Sequence, residues 1–319
     1  MITFTICSNN YLPYARVLCK SIKQFHPGWK FVLGLVDKPG QTEWYQGWGF
    51  DTVIPVEDIE VPNFSRMVSA YNLVELNTAV KPYFFSHLFE TYPDDIQILY
   101  FDPDIQVFSE LEELAEEFEK KSILLVPHFS TAHTGQSGII TPERRILQRG
   151  LYNLGFLGLK WSQETSFLLE WWQDKLQCEC LNLPEKGLFV DQKWMDLAPV
   201  YFENVKILKD QGYDVAYWNL YERSLHRRGD GIFAGESLLR FYHFSAYDKS
   251  SSTYVGNLAE KFESETAQVI RDIYPEYHRL LKQNGLDEFK SVECAYRPKE
   301  GGRKLLRTIK SRLKDWLAS

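Results

Sequence analysis

Residues Ile96-Gln97-Ile98-Leu99-Tyr100-Phe101 are almost unbroken apolar and end abruptly at Asp102-Pro103-Asp104, two acids one position apart. A short run of this kind suits a strand buried on both faces of a parallel sheet, and open α/β sheets gather ligands at the carboxyl ends of their strands. Two carboxylates held so close repel unless a proton or a cation bridges them, and hard oxygen ligands suit Mn²⁺ or Mg²⁺. The same residues also make a good turn, because Asp favours turns and Pro103 fixes φ. The surrounding sequence has to decide between the turn and the ion.

That surrounding sequence alternates strands with helices. Strand patterns at 2–7, 31–36 and 53–56 enclose a helical pattern over 12–25, and 65–90 has helical spacing broken at Lys81-Pro82. After the Asp102 strand come a charged helix at 110–121, a buried strand at 123–127, a Gly/Ser/Thr-rich loop at 130–138 and a glycine-punctuated strand within 150–159. A Trp- and Leu-rich helix at 162–176 follows, with further strands up to 242–245. Such alternation predicts an α/β fold with a wound, mixed but mainly parallel sheet flanked by helices. Composition shifts only near residue 287, so one domain is expected over 1–286, with a C-terminal helical extension over 287–319.

The net charge of −7 argues against a nucleic-acid partner, which would call for a basic footprint. From Arg297 onward, however, the chain is locally +6, leaving −13 on the rest. Within 303–319, Leu305, Leu306, Ile309, Leu313, Trp316 and Leu317 fall on one helical side and basic residues on the other. This pattern predicts a helix lying on an anionic membrane surface, although docking on the domain itself would use the same apolar side. Five cysteines show neither a disulfide framework nor metal-knuckle spacing, the N-terminus goes straight into a strand pattern, and no apolar window reaches the ~18 residues of a membrane span. A cytoplasmic enzyme, peripheral on the inner membrane face, is expected.

Taken in order, the Asn10-Tyr11 turn, Lys81, Phe101-Asp102-Pro103-Asp104, Tyr152-Asn153-Leu154-Gly155, Asp191-Gln192 and His243 make the chain similar to GT-A (Rossmann-like) glycosyltransferases, in particular to the family 8 retaining enzymes and their bacterial relatives. The resemblance implies transfer of a sugar from a nucleotide-sugar, most often a UDP-sugar, to an acceptor hydroxyl on a glycan, glycolipid or protein. It also implies Mn²⁺ (or Mg²⁺) held by Asp102, Asp104 and His243. Donor contacts would come from Ser8, Asn10, Tyr11, Lys81, Phe101, Asp102, Pro103, Asn153 and Gly155, with Tyr11 stacked on the base. Asp191 and Gln192 are the implied catalytic pair, Asp191 as sugar ligand or nucleophile and Gln192 positioning the anomeric centre. One departure matters: the family's diphosphate-binding Gly-x-x-Lys-Pro-Trp-type segment is absent after the late His, and Lys249 stands as its substitute. The rival readings are a haloacid-dehalogenase-type Mg²⁺-dependent phosphatase, whose Asp-x-Asp usually lies near the N-terminus, and a non-catalytic nucleotide-sugar-binding protein.

Overall fold

The computed structural model describes residues 1–132, 142–248 and 254–297. The expected loop at 130–138 therefore falls largely outside the described residues, as do Lys249 and the amphipathic segment 303–319.

In chain order the first half comprises β1 (Ile2–Cys7), α1 (Leu12–Phe25), β2 (Lys30–Leu35), β3 (Thr52–Pro55), α2 (Phe64–Ala70), α3 (Leu73–Ala79), α4 (Lys81–Thr91), β4 (Gln97–Phe101), β5 (Ile105–Val107), α5 (Glu113–Lys120) and β6 (Ile123–Pro127). The second half adds α6 (Pro142–Arg149), β7 (Tyr152–Lys160), α7 (Gln163–Glu179), β8 (Asn182–Leu183), β9 (Leu188–Phe189), α8 (Ala198–Tyr201), β10 (Val205–Ile207), β11 (Leu225–Arg228), β12 (Gly231–Ala234), β13 (Ser237–Leu238), β14 (Phe241–His243), α9 (Tyr254–Ala259), α10 (Ser264–Gln283) and α11 (Leu286–Phe289).

A seven-stranded sheet in the order β10-β6-β7-β4-β1-β2-β3 forms the middle layer. Alternate residues of β4 enter different cores: Ile98 and Tyr100 join a cluster with α4 and α7 residues such as Phe84 and Trp172, while Leu99 and Phe101 join one with Leu18, Ile22 and Phe118. Burial on both faces explains the continuous apolar run. β4 is parallel to β1 but antiparallel to β7, so the sheet is mixed at the strand that carries the acids.

Lys81-Pro82 does not interrupt a helix, as its spacing suggests, but begins one. Proline is tolerated in a first helical turn, whose N–H groups lack intrahelical partners anyway. The earlier break comes at Tyr71-Asn72, where the Asn72 side chain accepts from the Glu75 N–H and Glu75 reaches back to the Asn72 N–H, starting α3. Beyond the sheet, the short β5 pairs antiparallel with β14, setting Ile105 opposite His243. Helices α9–α11 close the structure, and the chain after α11 stays on the domain through Cys294, Ala295 and Tyr296, whose partners are Asn10, Asp37 and Glu57.

Candidate active site

The acids sit just past β4, where the sheet ends. The Asp102 N–H donates to the Gly155 carbonyl at 2.7 Å, and Ile105 N–H returns to the Asp102 carbonyl at 3.1 Å. Asp-Pro-Asp thus closes a tight turn while still presenting both carboxylates. His243 arrives from β14, with Nε2 3.1 Å from Asp104 and 3.8 Å from Asp102. Its ring is buried, whereas the two acid side chains keep 29% and 22% of their surface open on the cleft side.

One ligand atom from each of these three residues lies within 4.8 Å of the others. Neighbouring ligands of an octahedral ion with bonds of about 2.1 Å are about 3 Å apart, so small side-chain movements bring the set into range. Two oxygens and one imidazole nitrogen suit Mn²⁺, and the open side leaves positions for oxygens of a ligand. The residues therefore fit the implied metal. Burial alone would lower the His243 pKa, but the carboxylates of Asp104 and Asp214 outweigh it and hold the imidazole well above its ordinary value.

Gly155 has a plain steric reason. A Cβ there would lie 2.6 Å from Cε1 and 2.8 Å from Nδ1 of His243, and 2.6 Å from Oδ1 of Asn153. Only glycine lets the imidazole rest against β7.

A cleft of about 210 Å³ adjoins the acids, lined by Ser8, Asn10, Tyr11, Asn77, Thr78, Tyr100 and Pro103 among others. Tyr11 is 42% exposed and stacks on Tyr14 with ring centroids 4.6 Å apart. Ser8 is almost fully buried and donates to the Val36 carbonyl, while Asn10 accepts from the Cys294 thiol. The Tyr100 hydroxyl donates to Asp102 at 2.6 Å and so ties the acid to the cleft wall.

Two of the expected donor contacts have buried side chains. Phe101 is fully buried, its ring packed edge-on against Phe156 and Phe241 in the core. Lys81 is only 1% exposed: its ammonium pairs with Asp191 at 2.5 Å, donates to the Leu154 carbonyl at 2.8 Å and lies over the Tyr100 ring. A buried lysine needs this company, because an isolated ammonium in the interior is prohibitively costly.

Asp191 precedes a 3₁₀ turn at Gln192–Leu197, yet its side chain makes no capping bond. Burial raises its pKa, and Lys81 opposes that rise. Gln192 donates to the Arg149 carbonyl at 3.0 Å, and Asn153 accepts from the Gly155 N–H at 2.7 Å. The structure thus gathers Lys81, Asn153, Gly155, Asp191 and Gln192 around β7, next to the acid turn. Asp214, Asn77 and Thr78 escaped the sequence reading. Asp214 lies 29 positions before His243 in a stretch with no motif. Asn77 and Thr78 lie in the helical run before Lys81, where polar residues read as a solvated face.

His128 bonds through Nε2 to the Asn153 amide at 3.2 Å and is so buried that its pKa falls to about 4. Between pH 6.5 and 4 the unfolded chain binds a proton that the folded chain refuses, so acidification through this window should cost up to about 3 kcal/mol of stability. Urea titrations should show this slope flattened in His128→Gln; equal slopes would contradict it.

The fold is that of the GT-A glycosyltransferases. Among solved structures it matches the galactosyltransferase LgtC, crystallised with donor and acceptor sugar analogs, at a TM-score of 0.51 and 15% identity, over 89% of this chain and 96% of that one. By sequence the chain is similar to two uncharacterized proteins of Bacillus subtilis (strain 168). These are YfnF, 25% identical over 225 residues (70% of this chain, 73% of YfnF), and YfnD, 24% identical over 283 residues (88% and 87%). No family profile matches the chain. Among the described residues, no helix is long and apolar enough to cross a membrane.

Proposed function

We propose that this chain is a metal-dependent glycosyltransferase of the family 8 type, moving a sugar from a nucleotide-sugar to an acceptor hydroxyl with retention of configuration. The observation that carries the reading is the convergence of Asp102, Asp104 and His243 beside the cleft of Tyr11 and Asn10 in a GT-A fold. A match to a glycosyltransferase fold does not favour the phosphatase alternative.

In this reading Asp102, Asp104 and His243 hold Mn²⁺ or Mg²⁺, which when bound offsets negative charge on a departing diphosphate. Tyr11 stacks on the base, and Ser8 and Asn10 flank its polar edge. Lys81 holds Asp191 in place and counters the effect of burial on its charge; Asp191 is the candidate sugar ligand or nucleophile. Gln192 and Asn153 line the sugar side. UDP is the first candidate donor, and the acceptor is a glycan, glycolipid or protein. The basic amphipathic pattern at 303–319 supports attachment to an anionic membrane surface on the cytoplasmic side. In the donor site, Lys249 would lend its charge to the diphosphate.

Calorimetry with UDP and Mn²⁺, followed by assays of nucleotide release from UDP-sugars, tests the proposal. UDP should bind in a Mn²⁺-dependent manner, and Tyr11→Ala should weaken it by about 1–3 kcal/mol, the usual worth of a base stacked on an aromatic ring. Binding without release from any nucleotide-sugar would favour the non-catalytic alternative. Failure of every nucleotide, with or without metal, would overturn both.

A further inference from the structure

Asp214 is fully buried, and its Oδ1 lies 3.2 Å from Nδ1 of His243, on the ring edge opposite Asp104. Its other carboxylate oxygen, Oδ2, is also buried and has no hydrogen-bond partner. Leaving half of a buried carboxylate unpaired is unfavourable, and the backbone adds to the cost: Asp214 has φ +51°, a left-handed conformation that non-glycine residues rarely adopt. Surroundings that tolerate both costs must hold the residue firmly.

They do so through its main chain. The Asp214 carbonyl accepts from the Asn219 amide at 2.9 Å and from the fully buried Arg223, which also binds the Tyr213 and Pro127 carbonyls. The next residue, Val215, donates to the Phe241 carbonyl at 3.2 Å and accepts from the His243 N–H at 2.8 Å. Asp214 and His243 are thus locked in one register, while Trp218 meets the imidazole edge-to-face at 5.4 Å and Gly155 leaves room on its flank.

We propose that Asp214 is a positioning residue for the metal centre, fixing the tautomer and the direction of His243. The inference rests on the metal reading of the site given above. With a cation between the acids and the ring, Nε2 must offer its lone pair to it, so the one hydrogen of the neutral imidazole sits on Nδ1, where the Asp214 carboxylate 3.2 Å away accepts it. Outer partners of metal-bound histidines act in this way, and their loss commonly weakens metal affinity 10–100-fold. Asp214→Asn keeps the shape but adds an N–H₂ donor, which permits the opposite tautomer with Nε2 capped by hydrogen.

The test uses the full-length protein and Mn²⁺ alone, with the free ion followed by electron paramagnetic resonance. D214N should bind Mn²⁺ about 10–100-fold more weakly than the unaltered chain while keeping its metal-free thermal midpoint. Nitrogen NMR of labelled histidine in the Mg²⁺-loaded unaltered protein should place the His243 hydrogen on Nδ1. That measurement decides the matter even if D214N fails to fold. Unchanged Mn²⁺ affinity in D214N overturns the inference alone; a hydrogen on Nε2 of the loaded unaltered protein overturns it and removes His243 from the ligand set as well. Absence of Mn²⁺ binding by the unaltered chain sinks the metal reading and this inference together.

Discussion

Asp104→Ala is expected to lower nucleotide release from the chain's donor by at least about 10²–10³-fold, the scale on which losing one preorganised electrostatic contact slows a charged transition state. The substitution deletes one of the three converging side chains proposed to hold the metal and takes from His243 Nε2 the carboxylate 3.1 Å away. Chelation of the unaltered protein should mimic it, and added Mn²⁺ should restore the chelated protein but not the variant. Thermal unfolding should move little, since Asp104 lies at the rim of the cleft and not in a packed core. Full activity after exhaustive chelation would contradict this expectation.

The second large effect concerns stability. Lys81 and Asp191 are 1% and 2% exposed and form a single buried pair. Lys81→Met should destabilise the chain by about 3–5 kcal/mol, because it strands a carboxylate in the interior. Changing both partners, Lys81→Met with Asp191→Leu, should recover much of that loss while activity stays low. Burial raises the Asp191 pKa even beside the lysine, and without the lysine the main opposition to the rise is lost. The folded single variant then retains a proton that the unfolded chain releases, so its stability should fall as pH climbs above the ordinary carboxylate range. Urea midpoints from pH 4.5 to 8 measure this. A flat profile, or a loss under 1 kcal/mol, would mean that the pair is not buried in solution.

Where local chemistry decides, the sequence was legible. The apolar run ending in Asp-Pro-Asp specified a two-faced strand with acids at its mouth, and both the turn and the ligand geometry proved compatible there. Lys81-Pro82 was harder, because a proline within helical spacing signals equally a break or a beginning, and only the capping at Asn72 separates α3 from what precedes it. Phe101 adjoins the acid turn, but the period of a strand turns it away from Tyr100 and into the opposite core. The antiparallel insertion of β7 left no local trace, since β7 is buried on both sides in either orientation. Asp214 was invisible for a related reason. Its partner is 29 residues away, and no spacing rule links a loop acid to a histidine on a later strand.

The pairing of β5 with β14 also has a consequence for biogenesis. Ile105 and His243 become neighbours only across a sequence separation of 138, so a ribosome-bound chain displays both aspartates long before the imidazole emerges. The ligand trio therefore closes late. A truncated product ending before residue 241 would carry every strand of the seven-stranded sheet yet lack His243, and so, in the proposed reading, the third metal ligand.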